Sequence, residues 1–224
     1  MEKLSYYILT PSTDAKLIGN YPQIIDFVTE ENISSNISVE EFANYKGKFC
    51  EFNPNLNTFI LHGQSKFTNM YSCSLCPGGD LLIDNDFNEI LKKAKKGPVQ
   101  IFNSKLKKRK QTDSLNTFVI HFLYDLEGKI NFQLSEFSTD IYSKNDCECI
   151  KSFEDLMEFR ETIDNHYFLK ANKLVMSKEF DLSLDLFVLS WMDQNVYVSE
   201  KLKREIQSHK FIGIEFNEAY LYIE

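Results

Sequence analysis

Four of the five cysteines come in close pairs, Cys73-Ser74-Leu75-Cys76 and Cys147-Glu148-Cys149. Thiolates at such spacings are zinc ligands, and four of them close a tetrahedral structural site that staples two distant segments. Pro77-Gly78-Gly79 follows Cys76 and supplies the turn that zinc knuckles use. The plainer reading is two unrelated pairs, since cysteine is among the most often buried residue types. Spacing alone does not bring the pairs together, so no metal or cofactor is expected. A redox role for Cys73 and Cys76 ranks lower still. A thioredoxin-like pair sits between a strand and a helix, and here a Pro-Gly-Gly turn intervenes. Cys50 stands apart. An odd count with no export signal points to reduced thiols and not to a disulfide framework.

The four histidines, His62, His121, His166 and His209, are scattered and share no metal-ligand spacing. His121 lies in an apolar run, where it faces solvent or a partner group. His209 falls near a helix C-terminus, which mildly favours positive charge. There is no Gly-rich phosphate loop, G-x-S-x-G elbow or Walker pattern. No catalytic residue is nominated, and the chain is not expected to be an enzyme.

Charge is unevenly placed. The net value is −8, yet Lys92–Lys110 holds nine basic residues and no acid, leaving 16 basic against 33 acidic residues elsewhere. Phe102 is the only aromatic in this belt, so the aromatic interleaving of a single-strand binder is missing. The belt reads as a solvated helix face plus a hairpin tip, and nucleic acid is not the expected partner. An acidic body instead attracts a basic protein. The acids best placed for docking are Asp80, Asp84 and Asp86 after the Gly78–Gly79 turn, and Asp140, Asp146 and Glu148 in a polar loop. Carboxylates on loops speed encounter with a cationic site by long-range attraction.

The elements that must position these groups follow from periodicity. Tyr6–Leu9 reads as a strand closed by Pro11, which also cuts the N-terminal apolar run too short for a signal peptide. Pro22–Val28, with Ile24, Ile25, Phe27 and Val28 apolar, fits a short helix or a buried strand. Ser38-Val39-Glu40-Glu41 fits a capping box ahead of a helix carrying Phe42. Phe59–Leu61 is a strand. Asp84 or Asp86 caps a helix running to Lys96, with Phe87, Ile90, Leu91 and Ala94 on its apolar stripe and Gly97-Pro98 as its stop. Val99–Phe102 is a strand, Thr117–Tyr124 and Lys129–Leu134 a hairpin, and Ser152–Asp155 a helix start. Asp185–Glu224 reads as strand, turn, strand, helix capped by Ser199, strand. Strands joined by short turns favour antiparallel pairing, so the class is α+β: mainly antiparallel sheets with a few short packed helices. One unit over 1–224 is expected, with two lobes meeting near 105–115 as the alternative. No apolar run is long enough to span a bilayer, and a reduced cytoplasmic protein is the simplest reading.

The last quarter carries a family resemblance. Asp185-Leu186-Phe187, Val198-Ser199-Glu200-Lys201-Leu202-Lys203 and Gly213-Ile214-Glu215-Phe216 resemble motifs of bacterial polymorphic-toxin immunity proteins. The family is one first catalogued as a domain of unknown function, the eleventh-numbered immunity class. The earlier run Ile130–Phe137 and the opening Tyr6–Leu9 are compatible with it. The resemblance implies a non-enzymatic protein whose partner is a cognate toxin, bound and occluded without turnover. The motifs belong to the fold and not to catalysis, and they do not name the toxin. The alternatives are a nucleic-acid-binding regulator using the belt 92–110, or a small zinc protein built on Cys73, Cys76, Cys147 and Cys149.

Overall fold

A single inner strand organises the architecture. The computed structural model describes residues 1–28, 42, 45–54, 56, 58–76, 80–124, 128–138, 150–162, 170–189 and 195–224. In it, β2 (Tyr6–Pro11) is flanked by two antiparallel partners, β12 (Val196–Ser199) and β13 (Ile214–Glu218). With β11 (Leu186–Val188) they form a four-stranded sheet in the order β11-β12-β2-β13. Side chains alternate between the faces of a strand. Tyr6 and Ile8 therefore join Phe187 and Tyr197 on one face, while Leu9, Leu186, Val196 and Val198 occupy the other. Both faces are apolar, so this sheet is buried between two further layers.

On the first face lies a second sheet. It contains β1 (Glu2–Lys3), β14 (Leu221–Ile223), β10 (Lys170–Met176) and β9 (Glu136–Ser138), in that order. Leu174, Met176, Leu221 and Phe137 meet Tyr6 and Phe187 there, together with Leu156 of α3 (Phe153–Thr162). Phe187 stacks on Tyr197 at 5.4 Å and meets Tyr6 edge-on at 5.2 Å. On the second face lie α2 (Asn85–Lys93) and α4 (Glu200–Ser208), contributing Phe87, Ile90, Leu91, Leu202 and Ile206.

Beyond those helices is a six-stranded sheet in the order β3-β4-β7-β8-β6-β5: Ile24–Val28, Thr58–Leu61, Val99–Lys108, Leu115–Phe122, Leu81–Asp84 and Met70–Tyr71. Its two edge strands approach each other through a bridge between Ile24 and Cys73, so the sheet curls towards closure. A third apolar cluster, with Phe42, Phe59, Leu82, Phe102, Leu106 and Val119, fills the concave side. The short α1 (Ala15–Ile18) links β2 to this sheet. The class is α+β with mainly antiparallel pairing, although β10–β14 and β4–β7 are parallel. No helix among the described residues is long and apolar enough to cross a membrane.

Several expectations are corrected. Of the two alternatives left open for 22–28, the strand is the one that forms, over Ile24–Val28. The capping box at 38–41 lies outside the described residues. The helix after Asp84 ends at Lys93, because the Lys96 ammonium donates to the Leu91 and Ala94 carbonyls and Gly97 N–H is committed to Leu186 O at 2.8 Å. The hairpin drawn from 117–124 to 129–134 does not form; β8 pairs with β7 and β6 instead. Asn131 Oδ1 accepts from Leu134 N–H at 3.2 Å, and the Ser135 hydroxyl donates to Asn131 O at 2.7 Å. These side-chain bonds turn the backbone where periodicity implied extension. Residues 105–115 form the end of β7, its turn and the start of β8.

The sheets are pinned together at two places. Gly213 has φ of 82°, and a Cβ there would lie 2.6 Å from Thr68 Cβ and 2.7 Å from Met70 O. Only glycine lets the start of β13 approach β5 so closely. The second place is Asp185, whose side chain is 7% exposed. It accepts from Lys95 N–H at 3.1 Å, the Ser199 hydroxyl at 2.8 Å and the Lys201 ammonium at 3.1 Å. Its own N–H donates to Lys95 O at 2.7 Å, and its carbonyl accepts from Ser199 N–H at 2.9 Å. Ser199 in turn caps α4 by accepting from Leu202 N–H at 3.1 Å.

Burial alone would raise the Asp185 pKa, but the Lys95 N–H, Ser199 and Lys201 bonds outweigh it and hold the carboxyl below its ordinary value. A depressed carboxylate pKa stabilises the fold above the unfolded value, near pH 4, and that contribution is lost as pH falls through the folded value. Asp185→Ala should cost about 2–3 kcal/mol, chiefly from the orphaned Lys95 amide and the loosened cap. Lys201 is 76% exposed and adds little. Urea unfolding at pH 7 measures the loss. The same titration from pH 6 to 3 should show a shallower acid decline for Asp185→Asn than for wild type.

Candidate functional site

Cys73 and Cys76 lie on the turn that follows β5, at the seam of the curled sheet. Ile24 N–H donates to Ser72 O at 3.1 Å, and Ser74 N–H returns a bond to Ile24 O at 3.2 Å. This holds the backbone of Cys73 against β3. The Cys73 sulfur is hydrogen-bonded by the Cys76 thiol and by the Leu75 and Cys76 backbone amides, which bring its pKa down against the effect of burial. The Cys76 thiol is pushed well up by that same bond, by burial and by the nearby charges of Cys73 and Asp80. Both residues are half-buried free thiols.

Asp80 opens β6 from inside the sheet, with its side chain 3% exposed. Its Oδ2 lies 2.8 Å from His121 Nδ1, and its Oδ1 accepts from Phe122 N–H at 3.1 Å. His121 is fully buried, and its Nε2 lies 2.9 Å from Lys48 O. One proton bridges the carboxylate and the ring, while the far nitrogen donates to the Lys48 carbonyl. Phe42 and Phe102 cover the imidazole, with ring centroids 5.1 and 6.1 Å away. Cys50 N–H donates to Gln100 Oε1 at 2.7 Å and Gln100 donates back to Cys50 O at 2.9 Å, pinning residues 48–50 to β7. The polar pair thus fastens the covering segment to β6 and β8.

Sequence reasoning placed Asp80 among the exposed docking acids, and the structure corrects this. It is an internal partner for His121, which faces a group and not solvent. Asp84 is also committed: it caps α2 by accepting from Phe87 N–H at 2.9 Å and accepts from Asn69 at 2.8 Å. Asp86 remains exposed in the first turn of α2. Asp140, Asp146 and Glu148 lie outside the described residues, as do Cys147 and Cys149. Among the described residues, no three His, Cys, Asp or Glu side chains gather where they could hold a metal.

The basic belt does not form one patch. Its helix-end lysines and its hairpin-tip cations sit at opposite ends of β7, about 30 Å apart at the strand's rise per residue. Lys92 pairs with Glu89, Lys95 with Asp181, and Arg109 with Asp26. A gap of about 20 Å³ lined by Pro98, Phe122, Phe180 and Phe187 has room for one water, far below the size of a substrate pocket.

A model of an immunity protein family, Imm11, matches residues 146–220. Over that segment the chain resembles Imm11 immunity proteins. No curated protein matches the chain. The matched segment contains α3, β10, β11, β12, α4 and β13, and with them Asp185, Ser199, Gly213 and Phe216. Asp185, Ser199 and Gly213 tie the central sheet to its neighbours. The curled six-stranded sheet and its covering segment lie outside the match.

What sequence reasoning missed is the Asp80–His121 pair. The residues are 41 positions apart, and the one signal was a histidine alternating inward among apolar neighbours. Burial opposes charge on His121, but the Asp80 bond and charge and the Lys48 and Tyr45 carbonyls prevail, so its pKa is raised. For Asp80, burial outweighs His121, Phe122 N–H and Lys46 and pushes the carboxyl up. A raised histidine pKa stabilises the fold fully below the unfolded value of about 6.5, and the contribution fades as pH rises through the folded value. Urea unfolding between pH 6 and 9 should therefore show wild type losing stability with rising pH. His121→Gln should be less stable by about 1–3 kcal/mol at pH 6 and nearly flat over that range.

Proposed function

We propose that this protein is an immunity protein that binds a cognate toxin and neutralises it by occlusion, without turnover, in the cytoplasm of the cell that must be protected. The match to the immunity family over 146–220 carries the reading. The net charge of −8 agrees with a basic partner. Asp185, Ser199 and Gly213 are committed to internal contacts, which supports a toxin-contacting face away from them, on polar surface outside Asp185–Phe216. Asp86 is the described docking acid still free for that role, and Asp140, Asp146 and Glu148 complete the proposal.

The test is co-expression with toxic domains encoded beside this chain, followed by a binding measurement. A cognate toxin should be silenced and bound with sub-micromolar affinity, about −8 kcal/mol or better. Rescue that fails for every neighbouring toxin, or rescue without a complex, would overturn the occlusion reading. Asp86→Lys should then slow association by up to roughly tenfold and flatten its salt dependence, with little change in dissociation, as expected of an exposed rim charge. Stopped-flow mixing at two ionic strengths reads both effects.

A further inference from the structure

We propose that Cys73 and Cys76 are a redox-modification site, which a low-molecular-weight disulfide of the glutathione class converts to an intramolecular disulfide. Cys73 and Cys76 stand at the two ends of the turn formed by Ser74 and Leu75. A four-residue turn keeps its end Cα atoms within about 7 Å, close to the 4.4–6.8 Å that a disulfide spans. The bridge to Ile24 anchors Cys73 at one end of that turn.

The environment assigns the two thiols different roles. Cys73 receives hydrogen bonds from the Cys76 thiol and from two backbone amides, which favour its thiolate. Cys76 lies near Asp80, which disfavours charge there. The thiolate is the nucleophile in exchange. The Cys73 thiolate therefore attacks one sulfur of oxidised glutathione. That S–S bond breaks, one glutathione thiolate leaves and takes a proton from solvent, and a mixed disulfide remains on Cys73. The Cys76 thiol then gives its proton to solvent and attacks the Cys73 sulfur, releasing the second glutathione. Two protein thiols are oxidised and one small disulfide is reduced. This is not thioredoxin-like catalysis, which the Pro77-Gly78-Gly79 sequence argued against; it is a single closure on a preformed turn. Cys50 is an internal control, since it is buried and its thiol is pushed up by burial and by Asp80.

The experiment equilibrates the folded full chain with oxidised and reduced glutathione in chelator-containing buffer, quenches in acid, alkylates free thiols and maps tryptic peptides. Residues 67–92 carry only Cys73 and Cys76, and residues 145–151 carry only Cys147 and Cys149. The expected result is a 67–92 peptide lighter by two hydrogens and closed to alkylation, with Cys50 alkylated only after unfolding. Cys76→Ser should trap a glutathione adduct on Cys73. Cys73→Ser should slow adduct formation at Cys76 by roughly tenfold or more, as thiolate control of exchange requires. Wild-type protein that stays reduced in fully oxidised glutathione, a link between the 67–92 and 145–151 peptides, or an adduct on Cys76 in preference to Cys73 would each overturn the proposal.

Discussion

One buried carboxylate, Asp185, holds the layers in register. It sits where β11 begins, where α4 begins and where the chain leaves α2. Each of these places exposes backbone groups that need partners. Asp185 meets the Lys95 amide and the Ser199 hydroxyl with its side chain, and Lys95 O and Ser199 N–H with its backbone. The two backbone bonds are open to any residue with an N–H and a C=O. The carboxylate adds the two side-chain bonds, because its oxygens offer several lone-pair sites. Once they are satisfied, α2 and α4 lie side by side between two sheets, and the apolar faces of Phe87, Ile90, Leu202 and Ile206 have one place to go.

The six-stranded sheet solves a different problem. Curling brings β3 and β5 together and removes much of their edge exposure, which open sheets must otherwise cover or charge. Its concave side is then lined by aromatic bulk, with His121 and Asp80 enclosed among it. A buried ionisable group is costly unless it is paired and hydrogen-bonded. Here the pair also binds Lys48 O and Phe122 N–H, so the polar contact directs where the covering segment sits. The half-buried Cys73–Cys76 turn lies at the seam of the same sheet. Recognisable family residues build the central sheet, while the partly exposed chemistry lies on the curled one.

Much of the fold was legible because it depends on short-range rules. Ser199 followed by Leu202 and Ile206 at helical spacing specifies a capped amphipathic helix. Asp84 before Phe87, Ile90 and Leu91 does the same. Alternation in Tyr6–Leu9 and Val196–Val198 marks strands. The failures have local causes as well. Asn131 and Ser135 bond the backbone into a turn where alternation implied a strand, and Lys96 caps α2 one turn before the Gly-Pro stop. Asp80 was misjudged for a longer-range reason. Asp80 and Asp84 look alike in sequence, but one is held by residues 41 and 42 positions away and the other satisfies a helix three residues on.

The sequence by itself determined that the chain is α+β, where its two best-capped helices begin, and which family its last quarter resembles. Each of these is written in residues close enough to interact along the chain. Only the tertiary structure decided that Asp185 and Ser199 are partners, that Asp80 belongs to His121, and that the basic belt is two separated clusters. Those outcomes depend on which strands become neighbours. Strand pairing is set by how three apolar faces are buried at once, a constraint that no local spacing encodes.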